Sequence, residues 1–304
     1  MIGFVVNPVS GNGRGAKVWR ELENVLQERG ISYQVKLTME SGEAKQLASQ
    51  LVIAGARLVV AVGGDGTVNE VINGLYEADG HCLFGHIATG SGNDFARAYG
   101  ISRNPREALE TILAGRQVMA IDLLRINDRV AANAVGAGFD GQVAKTTNEA
   151  AYKKLCNRLK LGFLAYIVSV LRVLLSYRPS RVTIRVDGRE ETIDQVWLIA
   201  VSNIPNYGGG MLINPHALAD DGIAEVCVVS NVGRWELLRA FPLIFSGAHV
   251  NHPAVRFLRG RRIEISSQHP LIVHADGEVV ATTPLVIEVV PHRQQVLHNR
   301  QTVS

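Results

Sequence analysis

Val59-Val60-Ala61-Val62-Gly63-Gly64-Asp65-Gly66-Thr67-Val68-Asn69-Glu70-Val71 is the stretch that decides the fold. The apolar, mostly β-branched run at 59–62 has the composition of a parallel strand buried on both faces. It ends in glycines. Val68, Val71, Ile72 and Leu75 then recur at three- and four-residue spacing, as one face of a helix does. Thr67 and Glu70 stand at capping-box spacing where that helix should start. Gly63, Gly64 and Gly66 allow a sharp turn and a close approach of backbone to a ligand. The N–H groups of a helix N-terminus favour an anion at that point. Asp65 would repel a bare phosphate, so it fits a site where a divalent cation or a hydroxyl lies between the two. The other reading is an ordinary strand-turn-helix with Asp65 as a turn residue. No Lys-Ser/Thr follows, so the string is not a Walker A loop.

Working outward, residues 2–6 form a short apolar strand. Asn7-Pro8-Val9-Ser10-Gly11-Asn12-Gly13-Arg14-Gly15 follows, and then a helix from about 16 to 29. This loop offers backbone donors, the Ser10 hydroxyl and the Arg14 cation, all suited to phosphate. Residues 33–37 alternate as a second strand with Thr38 at its end, and 43–54 read as a helix. Residues 57–62 are the third strand and 83–87 the fourth. The fourth runs into Ala88-Thr89-Gly90-Ser91-Gly92-Asn93-Asp94-Phe95, where Asn93 or Asp94 can cap the next helix. Pro105 opens another helix, to about 113. Strands alternating with helices predict a doubly wound parallel sheet, which binds ligands beyond the C-terminal ends of its strands. All four polar or glycine-bearing loops lie at that edge, and a set of four is harder to explain as plain turns than one.

From about 118 the pattern changes. Residues 118–127 and 129–137 look like a hairpin through Asn127-Asp128. Further strands are expected at 181–186, 191–201, 223–229, 262–266, 271–275 and 285–290, with a helical insert at 235–245. Consecutive strands joined by turns predict an antiparallel β-sandwich. The division is an α/β domain over 1–120, completed by 291–304, and a sandwich over 121–290. His249-x-x-His252 has no third ligand nearby in sequence and is not read as a metal pair.

The chain has 304 residues, 47% hydrophobic and 19% charged, as in an ordinary globular protein with a sizeable core. A net charge of +3 is too small to imply nucleic acid. Cys82, Cys156 and Cys227 are too few and too scattered for a disulfide framework, which fits a reducing cytosol. The N-terminus reads as a strand rather than a signal peptide, and no apolar run is long enough to span a bilayer. Residues 150–181 contain Lys153, Lys154, Arg158, Lys160, Arg172, Arg178 and Arg181 and no acid. The apolar run at 161–175 with these basic flanks suits an amphipathic helix lying on an anionic membrane, or a core-facing helix with a solvated basic edge.

The acid/base candidates come late. In Val273-His274-Ala275-Asp276-Gly277-Glu278-Val279 two carboxylates bracket a glycine. A carboxylate that accepts a hydroxyl proton is what phosphoryl transfer to an alcohol requires. An exposed hairpin turn is the plainer reading of the same residues.

Together, Gly63-Gly64-Asp65-Gly66-Thr67 with Asn69-Glu70, the Gly90-to-Phe95 loop, Asn7-Pro8-x-Ser10-Gly11-x-Gly13 and Asp276-Gly277-Glu278 resemble the diacylglycerol-kinase catalytic-domain family, in length and order most like its bacterial soluble lipid kinases. The resemblance spans nearly the whole chain. It implies ATP on the glycine loops, a lipid site in the β-rich domain, and transfer of the γ-phosphate to a lipid hydroxyl at the inner membrane surface. It implies nucleotide contacts from Asn7, Ser10, Gly11, Thr38, Gly64, Asp65, Gly66, Thr67, Val68, Asn69, Glu70, Ser91, Asn93 and Asp94. Asp65 would engage magnesium-bound phosphates, and Glu278 would accept the proton, with Asp276 as the competing assignment. The string from Gly208 to Gly222 resembles the family's structural magnesium loop, which would take the Asp221 carboxylate and the Leu218 and Ile223 carbonyls. A homodimer is compatible with it. The rival functions are an NAD kinase-like phosphotransferase with a soluble acceptor, and a nucleotide- and lipid-binding regulator without catalysis.

Overall fold

All six residues of β3 (Leu58–Gly63) are buried, because it lies between two parallel neighbours and two helix layers. The computed structural model describes residues 1–79, 81–149 and 162–299. The chain divides into two units, one made of Met1–Leu123 with the chain from His292, the other of Leu124–Pro291. Lys153, Lys154, Cys156, Arg158 and Lys160 lie outside the described residues.

In the first unit β1 (Ile2–Val6) runs parallel to both β2 (Tyr33–Leu37) and β3. β4 (Leu83–Ala88) continues the sheet on the far side of β3. Helices α1 (Ser10–Glu28) and α5 (Pro105–Ala114) cover one face. There Trp19, Leu22, Leu26 and Leu109 pack on Phe4, Val6, Val60 and Ile87. On the other face α2 (Glu43–Ile53) and α3 (Asp65–Glu77) bury Ala48, Leu51, Val68, Val71, Ile72 and Leu75. Each such Leu, Val or Ile contributes about 1.5–3 kcal/mol through area removed from water, so the expected doubly wound sheet is held by side chains on both of its faces. α4 (Asp94–Ala98) follows the β4 loop.

Two local expectations fail. Thr67 and Glu70 do not form a capping box, since the N-cap of α3 is Gly64 and no side chain caps it. Glu70 instead accepts N–H bonds from Gly42 (3.0 Å) and Ala44 (3.0 Å), holding the start of α2. Neither Asn93 nor Asp94 makes a side-chain capping bond to α4, although Asn93 stands at the expected cap position. Asn93 is its left-handed N-cap, and its Nδ2 donates to the Gly90 carbonyl at 2.8 Å. A long-range contact took the Glu70 side chain that local spacing had reserved, and a bond three residues back took that of Asn93.

His86 of β4 lies under the loop that follows β3. Its Nε2 is 3.2 Å from the Gly63 carbonyl, and its Nδ1 has no partner. Burial pushes the imidazole down from about 6.5 to about 4, opposed only by the Gly63 carbonyl. The unfolded chain therefore takes up a proton below about 6.5 that the folded chain refuses until about 4. Stability falls as pH drops through that window, by about 3 kcal/mol at most. Urea midpoints measured from pH 7 to 4.5 should fall less steeply for His86→Gln than for the wild type. Identical slopes would refute the assignment.

The second unit is the expected β-sandwich, with corrections. β5 (Val118–Ile126), which begins in the first unit, pairs with β6 (Arg129–Ala131) through Asn127 as predicted. The second arm of that hairpin then breaks. β7 (Ala134–Gly138) pairs instead with β9 (Arg189–Ser202) and β13 (Ile272–Ala275). β8 (Ser180–Val186) pairs with the first part of β9 and with β12 (Arg262–Ser267), which also pairs with β15 (Leu285–Leu297). The later part of β9 pairs with β7 and with β10 (Ala224–Ser230). β9 thus serves both layers, and Gln195, at φ +49°, sits where it changes partners. β11 (Val255–Gly260), beside β10, is a strand not expected from sequence, because Arg256 and Arg259 break its apolar pattern. β14 (Glu278–Thr282) closes the edge beside β13.

Val135, Ala137, Ile199, Val201, Val226 and Val228 face the sandwich interior. Cys227 and Val229 face the opposite way, under helices α6 (Phe139–Glu149), α7 (Gly162–Ser176), α8 (Arg234–Ala240) and α9 (Leu243–Ser246). This alternation is the period-two signature of strands with one face in each core. β15 runs on into the first unit, where Val296 pairs in parallel with Phe84 of β4.

Candidate active site

In the first unit, three loops at the C-terminal ends of β1, β3 and β4 are tied to one another. Asn7 Nδ2 donates to Thr67 Oγ1 at 3.1 Å, and the Ser10 and Thr89 hydroxyls are 2.6 Å apart. The Thr89 N–H donates to the Gly63 carbonyl at 2.8 Å. A Cβ on Gly90 would lie 2.5 Å from the Gly64 Cα, so the second and third loops meet backbone to backbone and no other residue fits. Gly66, by contrast, faces open space. A rigid junction of three loops at the start of a 13-residue helix, with room above it, is a shape that receives an anion.

The other expected nucleotide contacts divide. Gly64, Gly66 and Thr67 are in the junction, with Val68 buried behind it. Gly11, at φ +56°, packs against the Thr89 carbonyl. Asp65 Oδ1 accepts the Phe95 N–H at 3.1 Å and so couples the β3 loop to α4. Asp94 is paired with Arg97. Asn93 Oδ1 is buried without a partner. Thr38 is buried after β2, and its N–H donates to Val6. Asn69 accepts from Asn73 and Glu70 holds α2, so both act within the fold. Ser91 is exposed in the β4 loop. These residues fit a nucleoside polyphosphate with a divalent cation at Asp65, one carboxylate plus water being ordinary for magnesium.

In the second unit the acid turn is resolved residue by residue. Asp276 (φ +49°) and Gly277 (φ +89°) make the tight turn between β13 and β14. The Asp276 carboxylate accepts three backbone N–H groups, from Ala132 (2.9 Å), Asn133 (3.0 Å) and Ala134 (2.9 Å). This is the force that breaks the β6–β7 arm. Glu278, two residues on, is exposed at the start of β14. The two carboxylates singled out in the sequence therefore differ in kind, one holding the chain and the other free of that duty.

Behind the turn lies a cluster that sequence reasoning missed. His274 Nε2 is 2.8 Å from Asp140 Oδ2, and the Tyr207 hydroxyl donates to the same oxygen at 2.6 Å. The Gly277 N–H donates to His274 Nδ1 at 3.2 Å. Burial alone would lower the imidazole, but Asp140, with Asp276 and Glu278, outweighs it and leaves His274 raised. Burial alone would raise Asp140, but His274 and then Tyr207 outweigh it and leave the carboxyl lowered. A Cβ on Gly136 would fall 2.2 Å from His274 Nε2, so that glycine makes room for the pair. Asp140 comes from the first turn of α6, 134 residues before its partner, and no spacing rule links the two.

Asp140 and Tyr207 also stand on the wall of a cavity of about 90 Å³. The rest of the wall is apolar apart from His249 and His252, with Phe139, Val170, Leu174, Met211, Ile213 and Val229 among its members. It lies between the β7–β9–β10 face and the helices. Its roof is α8 and α9.

The expected magnesium loop is occupied from within. Asp221 Oδ2 is 2.8 Å from the Arg259 guanidinium, and Oδ1 accepts the Ile223 N–H at 3.0 Å. The Asp221 carboxylate, the one side-chain ligand expected beside the Leu218 and Ile223 carbonyls, is thus shared with an arginine. Among the described residues no three His, Cys, Asp or Glu side chains group as a metal cage.

A glycine-loop α/β unit followed by a β-sandwich with an acid turn is the architecture of the NAD kinase and diacylglycerol kinase class. A family model described as diacylglycerol kinase catalytic domain matches residues 1–126, and one described as YegS C-terminal NAD kinase beta sandwich-like domain matches residues 133–298. The chain is 32% identical to a diacylglycerol kinase of Mycobacterium tuberculosis, over 97% of this chain and 94% of that one. It is 27% identical to a diacylglycerol kinase of Bacillus subtilis, over 92% and 90%. A solved structure described as a diacylglycerol kinase from Bacillus anthracis superposes with a TM-score of 0.74 at 22% identity, covering 98% and 96%. A second from the same organism reaches 0.82 at 24% identity, covering 98% and 97%. The chain belongs to the diacylglycerol kinase family of lipid kinases.

Proposed function

We propose that the protein transfers the γ-phosphate of ATP to the hydroxyl of a membrane lipid, diacylglycerol or a close relative. The observation that carries the lipid reading is the apolar cavity that shares Asp140 with the acid turn. An acceptor as polar as NAD has no use for such a wall.

ATP with magnesium supplies the transferable phosphoryl group and spreads its negative charge when bound. The chain's own residues do the rest. The three-loop junction would hold the phosphates with backbone N–H groups, and Asp65 would hold the divalent cation. Glu278 takes the proton from the attacking hydroxyl. Asp276 fixes the turn on which Glu278 stands, and the His274–Asp140 pair braces that turn through Gly277. Positioning and charge stabilisation account for most of the rate in such transfers.

The test is incubation of the full-length protein with γ-labelled ATP and magnesium, with a total lipid extract, purified diacylglycerol or NAD as acceptor. Label should enter an organic-extractable phospholipid. Label in the NAD product alone, or tight ATP binding with no product from any acceptor, would overturn the reading.

A further inference from the structure

The cavity, at about 90 Å³ and lined almost wholly by apolar side chains, opens beneath the two short helices α8 and α9. Its roof is lightly anchored. α8 has seven residues and α9 four, and neither has a single buried residue. Leu237, Leu238, Phe241 and Ile244 turn inward and half-bury against the cavity. Trp235 (70% exposed), Leu243 (37%) and Phe245 (46%) turn outward. The neighbouring α7 adds Val168 (43%), Leu171 (42%) and Leu175 (69%). The Arg234 guanidinium joins the two elements by donating to the Tyr177 carbonyl at 3.0 Å. Six large apolar side chains on adjoining helices are more than a solvated surface ordinarily shows.

We propose that this roof is the membrane-docking face of the protein, and that its partner is an anionic bilayer surface. Resting on the lipid-kinase reading, it names the surface that would present the lipid to the cavity. The charge on the page selects the partner. Arg172, Arg178, Arg234 and Arg239 are exposed around the apolar side chains. Among α7, α8 and α9 the acid with a described side chain is Glu236, which faces His252 at 3.7 Å. Tryptophan and phenylalanine among arginines are the side chains that settle at the level of lipid headgroups. No helix among the described residues is long and apolar enough to cross a membrane, so the contact is peripheral. The same two short helices wall the cavity on their inner side, so a roof held by the bilayer is free to tilt and admit a chain.

Trp235 is a built-in reporter, because Trp19 and Trp197 are 6% and 2% exposed. Full-length protein is mixed, without nucleotide, with vesicles of phosphatidylcholine or of equal parts phosphatidylcholine and phosphatidylglycerol. Sedimentation and tryptophan emission are then read. With phosphatidylglycerol the protein should sediment, and its emission should shift to the blue and be quenched by spin-labelled acyl chains. Phosphatidylcholine alone, or high salt, should leave it in solution. Arg172→Glu/Arg239→Glu should weaken partitioning at least tenfold with an unchanged melting temperature. Sedimentation without any change in Trp235 emission would place the contact elsewhere and overturn the proposal. Failure to sediment, or a double variant that alters self-association rather than vesicle binding, would do the same. Because no turnover is measured, an enzyme that phosphorylates some other acceptor leaves this result standing.

Discussion

Glu278→Gln is expected to reduce turnover by about 10²–10⁴-fold, the usual worth of a positioned proton acceptor, while the melting temperature stays where it is. Glu278 is exposed at the first position of β14, and surface substitutions of that kind ordinarily change stability by within about 0.5 kcal/mol. Asp276→Ala should behave in the opposite way. It removes the acceptor of the Ala132, Asn133 and Ala134 N–H groups. Leaving buried donors unpaired costs roughly 1–3 kcal/mol each before relaxation, so this variant should melt several degrees lower and lose activity as a consequence. The pair of measurements, initial rate and thermal melt on both variants, separates a proton acceptor from a structural anchor. If Asp276→Ala keeps the wild-type melting temperature and loses turnover, while Glu278→Gln stays active, the roles are exchanged.

Asp65→Asn should be nearly as damaging and equally silent in a melt. The amide keeps an oxygen to accept the Phe95 N–H that Asp65 Oδ1 now accepts at 3.1 Å, so the coupling between the β3 loop and α4 survives. The negative charge goes, and with it the hold on a divalent cation. A loss on the order of 10²–10³-fold in kcat is expected, as for removal of one preorganised electrostatic group, together with a weaker response to added magnesium. A magnesium titration of the labelled-ATP assay measures both. Wild-type kcat at any magnesium concentration would show that Asp65 is a turn residue after all.

How legible each part was depended on the range of the forces behind it. The parallel sheet of the first unit was readable because its strands are continuous apolar runs, buried on both faces, ending in glycine loops. That pattern is local, and β1 to β4 form close to where it predicts. The glycine loops were readable for the same reason. Their mutual locking through Asn7–Thr67, Ser10–Thr89 and Gly64–Gly90 was not, since those pairs are 60, 79 and 26 positions apart. The sandwich was readable as a class and less so in detail. β11 hid behind its arginines, and the hairpin after Asn127 was drawn one strand too long.

Asp65, Asp276 and Glu278 could be named as candidates from the chain alone, because their glycine turns recur in the order of a known family, although Asp-Gly by itself is ordinary turn chemistry. Which of the late two can take a proton could not. That depends on the three amides that meet Asp276, and those amides come from a segment more than 140 residues earlier. Arg259 likewise reaches Asp221 only because β11 pairs beside β10. Periodicity and turn chemistry act over a few residues and are written in the order of the amino acids. Hydrogen-bond partners, ion pairs and the apolar cavity arise where distant segments are packed together, and only the folded chain assigns them.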